Sequence, residues 1–108
     1  VYGLKERLDD THNITLISSV SYFQFVPSNV WAGIGWRNRE EITVDLDKYL
    51  HQNGIHFIPQ SVDRIDAQNN HLYLPVGTII PYDYLVITTG AKLAFDEVPG
   101  AGPINGFT

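Results

Sequence analysis

The chain has 108 residues, of which 44% are hydrophobic and 18% are charged, a composition that predicts one packed domain and excludes a disordered tail. Its formal net charge is −5, and no cluster of Lys or Arg is present to follow a phosphate backbone, so we expect no nucleic-acid partner. The sequence contains no cysteine, which excludes disulfides, thiolate metal ligands and a thiol-based redox step within this chain.

The first part of the chain is predicted to contain a helix, a short strand and an aromatic loop. Apolar residues at helical spacing indicate the last two turns of an amphipathic helix over residues 1–8. An apolar run at residues 14–17 predicts a strand that ends in two serines. Residues 20–40 are rich in aromatic side chains, and we expect a loop that either folds over the core or lines a flat ring ligand. Arg37 and Arg39 precede two glutamates, which predicts a solvated, partly self-paired surface.

The next part is predicted to contain one helix and several short strands. Asp45 is placed to cap a helix that stops at Gly54, and residues 55–58 then predict a strand. Three further extended segments predict an antiparallel meander over about residues 60–81. The meander is divided by two turn-forming dipeptides, Asn69-Asn70 and Val76-Gly77.

Residues 85–87 are the segment on which the prediction of a ligand site depends most. Their Leu-Val-Ile run predicts a buried parallel strand, and it is followed by two threonines and Gly90. Glycine has no Cβ and threonine offers a hydroxyl, so the end of this strand can meet a ligand's phosphate or ribose at main-chain distance. An ordinary strand followed by a turn explains the same residues. The Pro- and Gly-rich residues 99–103 predict a crossover or linker.

The remaining titratable residues form no recognisable site. None of the four histidines has a paired ligand at metal spacing, and without cysteine we predict no metal site. The spacing of the carboxylates favours no acid and base pair. We therefore assign no catalytic residue to this chain.

Taken together, these segments resemble the sulfide:quinone oxidoreductases, which are part of the FAD-dependent pyridine nucleotide-disulfide oxidoreductase-like superfamily. The Thr-Gly turn is shared across that superfamily, whereas YFQFVPSN at residues 22–29 and KLAF at residues 92–95 are more specific. The resemblance covers nearly the whole chain. It also includes ITLIS at residues 14–18, GWR at 35–37, GIHFI at 54–58 and YDYLVITTG at 82–90.

The resemblance implies an α/β fold, namely a Rossmann-like FAD/NAD(P)-binding domain that is partial over residues 1–108, with an inserted three-stranded meander. The first strand of the domain would be missing. In a doubly wound sheet that strand lies between the strand at 14–17 and the one at 84–88, so we expect two unpaired strand edges. The chain then either forms a homo-oligomer through these edges or leaves the slot open.

The resemblance implies that the full-length enzyme oxidises sulfide and reduces a membrane quinone through FAD. The glycine-rich phosphate turn and the redox cysteines of the family lie outside this chain, so we expect it to be inactive alone and to bind FAD weakly or not at all. Two other enzymes remain open, the flavoprotein subunit of a flavocytochrome c sulfide dehydrogenase and a type-II NADH:quinone dehydrogenase. A non-catalytic module that binds a protein through the aromatic loop is the alternative of another class.

The resemblance also implies cofactor contacts in four places. They are the adenosine ribose, the adenine, the flavin side of the pocket and the end of the strand at 84–88. The corresponding residues are, in that order, Ser18 and Ser19; Ser61 and Val62; Pro27, Ser28 and Asn29; and Thr89, Gly90 and Lys92.

The cellular location follows from the same considerations. No apolar run approaches the roughly 20 residues that span a bilayer, and no secretory pattern opens the chain. Methionine is absent, which suggests a partial sequence. The segment by which the family attaches to membranes also lies outside this chain. We therefore expect a soluble chain that derives from a peripheral membrane enzyme of prokaryotic type.

Overall fold

The computed structural model describes residues 1–92 and 94–102, and it has a mixed α/β architecture, as predicted. The helices are α1 (Tyr2–Lys5), α2 (Asn29–Gly33) and α3 (Leu46–Gln52), with 3₁₀ turns at Val26–Ser28, Pro75–Gly77 and Phe95–Glu97. The strands are β1 (Thr15–Ile17), β2 (Tyr22–Gln24), β3 (Thr43–Asp45), β4 (His56–Ile58), β5 (Arg64–Asp66), β6 (His71–Tyr73) and β7 (Ile79–Pro81). They form three small sheets, with β1 parallel to β4, β2 antiparallel to β3, and β5, β6 and β7 antiparallel in that order.

Helix α3 has the two ends that the sequence predicts. The Asp45 carboxylate accepts a hydrogen bond from the backbone N–H of Lys48, with 3.3 Å between Oδ1 and N. Gly54 has a φ of +64°, a conformation that glycine adopts without strain just after a helix end. The backbone N–H of Ile55 then donates to the Leu50 carbonyl at 3.0 Å, and the chain enters β4 directly. These local contacts confirm the predicted helix and the strand that follows it.

The parallel pairing of β1 and β4 places the segments that follow them at the same end of the sheet. β1 and β4 are in register from Thr15 opposite His56 to Ile17 opposite Ile58. The backbone N–H of Ser18 donates to the Ile58 carbonyl at 3.2 Å and so extends the ladder by one residue. On its other side, β1 has no strand neighbour in the described part of the chain.

The antiparallel sheet lies in the region where the sequence predicts the meander. Asn70, with a φ of +55°, forms the first turn at the predicted position. The Asp66 carboxylate accepts hydrogen bonds from the Asn69 side-chain amide at 2.9 Å and from the backbone N–H groups of Asn69 and Gln68. These bonds, chiefly the one from the Asn69 side chain, hold the pKa of Asp66 below its usual value. The turn therefore stabilises the ionised carboxylate.

Val76 is a strained residue in the second turn of this sheet. It has a φ of +63°, and Gly77 after it has a φ of +79°. A β-branched residue strongly disfavours this conformation, and the fully exposed Val76 side chain makes no compensating contacts. Asn-Gly is the preferred pair where both central residues of a turn have positive φ. Val76→Asn is therefore expected to raise the free energy of unfolding by about 1 kcal/mol, measured by urea titration.

A suitable control is Val30→Asn, because Val30 is also exposed but lies in α2. Valine and asparagine have similar helix propensities, so this variant should be about as stable as the wild type. A Val76→Asn variant that gains nothing over the wild type would argue against strain at this turn.

The hydrophobic core is smaller than the composition suggests. Among the described residues, the buried apolar side chains are Ile42, Leu50, Ile55, Leu72 and Leu74. Many large apolar side chains are exposed, including Trp36 at 69% and Tyr84 at 94%. The radius of gyration is 17.3 Å, whereas a compact domain of this length has about 13 Å. The chain is thus more extended than a self-contained globular domain.

The predicted buried strand at residues 85–87 is wrong for this structure. Residues 84–90 form no strand, and Val86 and Ile87 are 71% and 62% exposed. An apolar run becomes a strand only where neighbouring strands and covering side chains are available. In the described part of the chain, no strand pairs with this segment.

The first part of the chain also differs from the prediction. Residues 20–40 contain β2 and α2 rather than an irregular loop, because β2 finds a distant partner in β3. This pairing continues at the hydrogen bond from Phe25 N–H to the Ile42 carbonyl, at 2.9 Å. Helix α1 is shorter than the predicted residues 1–8, although Leu8 N–H still donates to the Leu4 carbonyl at 2.9 Å.

Candidate functional site

Four of the predicted contact residues lie beyond the carboxyl ends of β1 and β4. Ser18 and Ser19 follow β1 directly, and Ser61 and Val62 lie in the extended segment just after β4. Because the two strands are parallel, both segments leave the sheet at the same end. Ligands of parallel α/β sheets bind outside the carboxyl ends of the strands. The structure thus brings these two pairs of residues to one side of the sheet.

The serine hydroxyls at this end of the sheet remain able to bind a ligand. Ser19 is exposed, and Ser18 is half-buried. The Ser18 hydroxyl accepts a hydrogen bond from the backbone N–H of Val20 at 3.3 Å, and its own proton remains available as a donor. Val62 is 40% exposed. This end of the sheet therefore offers short polar side chains and main-chain groups to an incoming ligand.

The predicted residues of the flavin side lie where the 3₁₀ turn at Val26–Ser28 continues into α2, and neighbouring side chains hold them in place; we call these three residues the Pro27–Asn29 turn. Ser28 is only 3% exposed, and its hydroxyl accepts a hydrogen bond from Nη1 of Arg37 at 3.1 Å. The Asn29 side-chain oxygen accepts a hydrogen bond from the Gln24 amide at 2.7 Å. Pro27 is exposed. Ser28 therefore supports the turn from within, whereas Pro27 and Asn29 remain at the surface.

Arg37, Arg39 and the two glutamates that follow are exposed, as predicted, but no ion pair joins them within the described residues. Arg37 contacts Ser28, and the Arg39 guanidinium lies over the Tyr22 ring, 4.9 Å from its centroid. The Glu41 carboxylate instead accepts the backbone N–H of Asn38 at 2.8 Å. The long arginine side chains reach residues that folding brings near, and a planar guanidinium suits both a hydroxyl and a ring face. Sequence reasoning gave Arg37 no site role, although it lies in the GWR string that contributes to the resemblance.

The last group of predicted residues lies in a segment without regular secondary structure, outside the sheets. Thr89, Gly90 and Lys92 are exposed, and Leu93 of the KLAF string lies outside the described residues. Gly90 has a φ of +73°, and a Cβ built on it would meet no atom within 4 Å. No strand pairing in the described part of the chain connects this segment to β1 or β4. Gly90 thus leaves open space at its backbone.

Two further groups of titratable side chains do not include these positions. An open depression of about 380 Å³ is lined by Asp47, His51, Gly54, Ile55, His56 and Phe57, and it includes none of the predicted contact residues. Hydrogen bonds from the side chains of Thr11 and His12 lower the pKa of Asp9 at the surface. Within residues 1–92 and 94–102, no three His, Asp or Glu side chains are grouped so that they could hold a metal ion.

The fold defines this chain as a mixed α/β segment in which two short strands, β1 and β4, pair in parallel. Comparison with known proteins makes the assignment specific. The sequence is 42% identical over 94 residues to the sulfide-quinone reductase of Aquifex aeolicus (strain VF5), which corresponds to 87% of this chain and 22% of the relative. No family model matches the sequence.

A solved structure agrees with this match. The X-ray structure of the sulfide:quinone oxidoreductase from the hyperthermophilic bacterium Aquifex aeolicus superposes with a TM-score of 0.82 at 40% identity, covering 93% of this chain and 22% of that one. The predicted resemblance is confirmed: this chain is similar in sequence and fold to part of a sulfide:quinone oxidoreductase. It spans about a fifth of the length of the proteins that it matches.

Proposed function

We propose that residues 1–108 are part of the FAD-binding domain of an enzyme that oxidises sulfide and reduces a quinone. The observation that carries this proposal is the 42% identity over 94 residues with a sulfide-quinone reductase. In this proposal β1 and β4 belong to a Rossmann-like parallel sheet, and the antiparallel sheet of β5, β6 and β7 is the inserted meander.

The residues beyond β1 and β4 have the chemistry that the adenosine end of FAD requires. The hydroxyls of Ser18 and Ser19 can form hydrogen bonds with a ribose. The serine side chains are short, so they leave room for a ligand at the end of the strand. Ser61 and Val62 offer main-chain donors and acceptors to the adenine on the same side of the sheet. The hydrogen-bonding groups at this end of the sheet therefore fit the adenosine part of FAD.

The flavin end is assigned to the two remaining groups. Pro27 and Asn29 present a turn that is held in place from below, and Thr89, Gly90 and Lys92 offer a backbone open to close approach and a positive charge. FAD supplies the two-electron chemistry when bound, and these residues bind and orient it. None of them is proposed as a catalytic residue.

We propose that the 108-residue chain alone is inactive and binds FAD weakly or not at all. Three features of the described residues support this, namely the small core, the exposed Val86 and Ile87, and the side of β1 that has no strand neighbour. A cofactor cleft needs walls held in a fixed geometry. In isolation, the same exposed segments would drive self-association.

Membrane contact is proposed to be peripheral and to arise from segments outside this chain. None of the helices that the structure describes has the length and apolarity to cross a bilayer.

The test is to purify the full-length enzyme that contains this chain. We expect it to hold FAD, seen as flavin absorbance that denaturation releases, and to reduce a soluble quinone analogue when sulfide is added. A colourless protein that FAD cannot reconstitute would contradict the proposal. A flavoprotein that reduces quinone with NADH but not with sulfide would support the assignment of FAD and contradict the assignment of sulfide as the substrate.

A further inference from the structure

The loop after α2 folds back onto the turn formed by Pro27, Ser28 and Asn29. The backbone N–H groups of Trp36 and Arg37 both donate to the Trp31 carbonyl, at 2.8 Å and 3.2 Å. The Trp31 and Trp36 rings contact each other, with 5.1 Å between centroids and 30° between planes. Main-chain and ring contacts thus fix the backbone of Arg37 beside the helix, and its side chain extends to Ser28.

The contact between Arg37 and Ser28 is the part of this loop that reaches the candidate site. Ser28 is 3% exposed, so its hydroxyl depends on a protein partner, and Arg37 supplies one at 3.1 Å. A hydrogen bond from a charged donor is stronger than one between neutral groups. The side-chain amide of Gln24 in β2 donates a hydrogen bond to the side-chain oxygen of the neighbouring Asn29, at 2.7 Å. The turn is therefore held on one side by a strand and on the other by a guanidinium.

We propose that Arg37 is a positioning residue, which fixes the Pro27–Asn29 turn against the flavin through the buried Ser28 hydroxyl. This role rests on the proposed function, since it requires that the turn face the cofactor. Ser28 is too buried to be a main ligand contact, so the pair acts by holding the exposed Pro27 and Asn29 in place. A displacement of about 1 Å is enough to impair a preorganised site.

The experiment compares Arg37→Ala, Arg37→Lys and Arg39→Ala in the full-length enzyme. Apoprotein is titrated with FAD, and the visible circular dichroism of bound flavin is recorded. We expect Arg37→Ala to raise the dissociation constant of FAD about tenfold, or ~1.4 kcal/mol, and to change the flavin spectrum. Arg37→Lys should restore part of both, since lysine keeps the charge but not the planar fork.

Arg39→Ala is the matched control, because Arg39 is two residues away and packs on the Tyr22 ring instead of on the turn. It should match the wild type in affinity and spectrum. If Arg37→Ala behaves like Arg39→Ala, Arg37 does not position the site. A wild-type enzyme that holds no flavin would overturn the proposed function itself, so the two failures are distinguishable.

Ser28→Ala tests the same pair from the other side and decides the matter if Arg37→Ala fails to fold. It should change the flavin spectrum in the same direction as Arg37→Ala does, since each variant removes the hydrogen bond between the two side chains. In the double variant the two effects should not add, because groups that act through one contact are coupled. A Ser28→Ala enzyme with the wild-type spectrum and FAD affinity would overturn the proposal.

Discussion

Gly90→Val in the full-length enzyme is expected to weaken FAD binding at least tenfold, or ~1.4 kcal/mol. Gly90 has a φ of +73°, where a residue with a Cβ is strained by about 1–2 kcal/mol. The space into which the new side chain would extend holds no protein atom within 4 Å of the Cβ. In the proposed function this space belongs to the cofactor, so valine would oppose FAD sterically as well as straining the backbone.

Gly100→Val separates the two contributions. Gly100 has a φ of +82° and equally open surroundings, but it is not among the proposed contact residues. Both variants should lose a similar amount of thermal stability as apoproteins, and only Gly90→Val should lose FAD affinity in a titration. Equal affinities for FAD in the two variants would remove Gly90 from the proposed site.

Leu50→Ala is expected to lower the free energy of unfolding of the chain by roughly 2–5 kcal/mol. Leu50 is 1% exposed, and it is the one large side chain in the described residues that is completely enclosed. It lies on α3, which packs against β4 and β2, elements of two different sheets. Since small domains are stable by only about 5–15 kcal/mol, a loss of this size leaves little folded protein at moderate urea.

The loss can be followed in a urea titration by tryptophan fluorescence. Val30→Ala is the control, because Val30 is 70% exposed in α2 and its truncation should change stability by less than about 0.5 kcal/mol. If Leu50→Ala and Val30→Ala unfold at the same urea concentration, α3 does not contribute to the core as the structure indicates.

The features that the sequence predicted well are those that depend on neighbouring residues. Asp45 as a cap, Gly54 after the helix and the turn at Asn70 each reflect the backbone conformation of a few adjacent residues. The elements that it missed depend on distant partners. β2 and β3 pair from separate parts of the chain, and the apolar run at residues 85–87, which was predicted as a strand, has no partner strand among the described residues. Local pattern alone carries no information about such partners.

The candidate site shows the same division. The proposed role of the serines after β1 came from the resemblance, and the parallel pairing brings them to the same end of the sheet as the segment after β4. The contact between Arg37 and Ser28 was missed, because it exists only after the loop has folded back on itself. The assignment of sulfide, quinone and FAD came from the resemblance and not from composition or spacing.

The three sheets differ in how far apart their paired strands lie in the sequence, and we expect this difference to set the order in which they fold. The strands β5, β6 and β7 follow one another through short turns, whereas β1 must find β4 across residues 18–55. Closing a longer loop loses more chain entropy, and hairpins form within about 1–10 microseconds. We therefore expect the antiparallel sheet of β5, β6 and β7 to form first, and the parallel pair of β1 and β4, with the serines that follow β1, to assemble in a later and slower step.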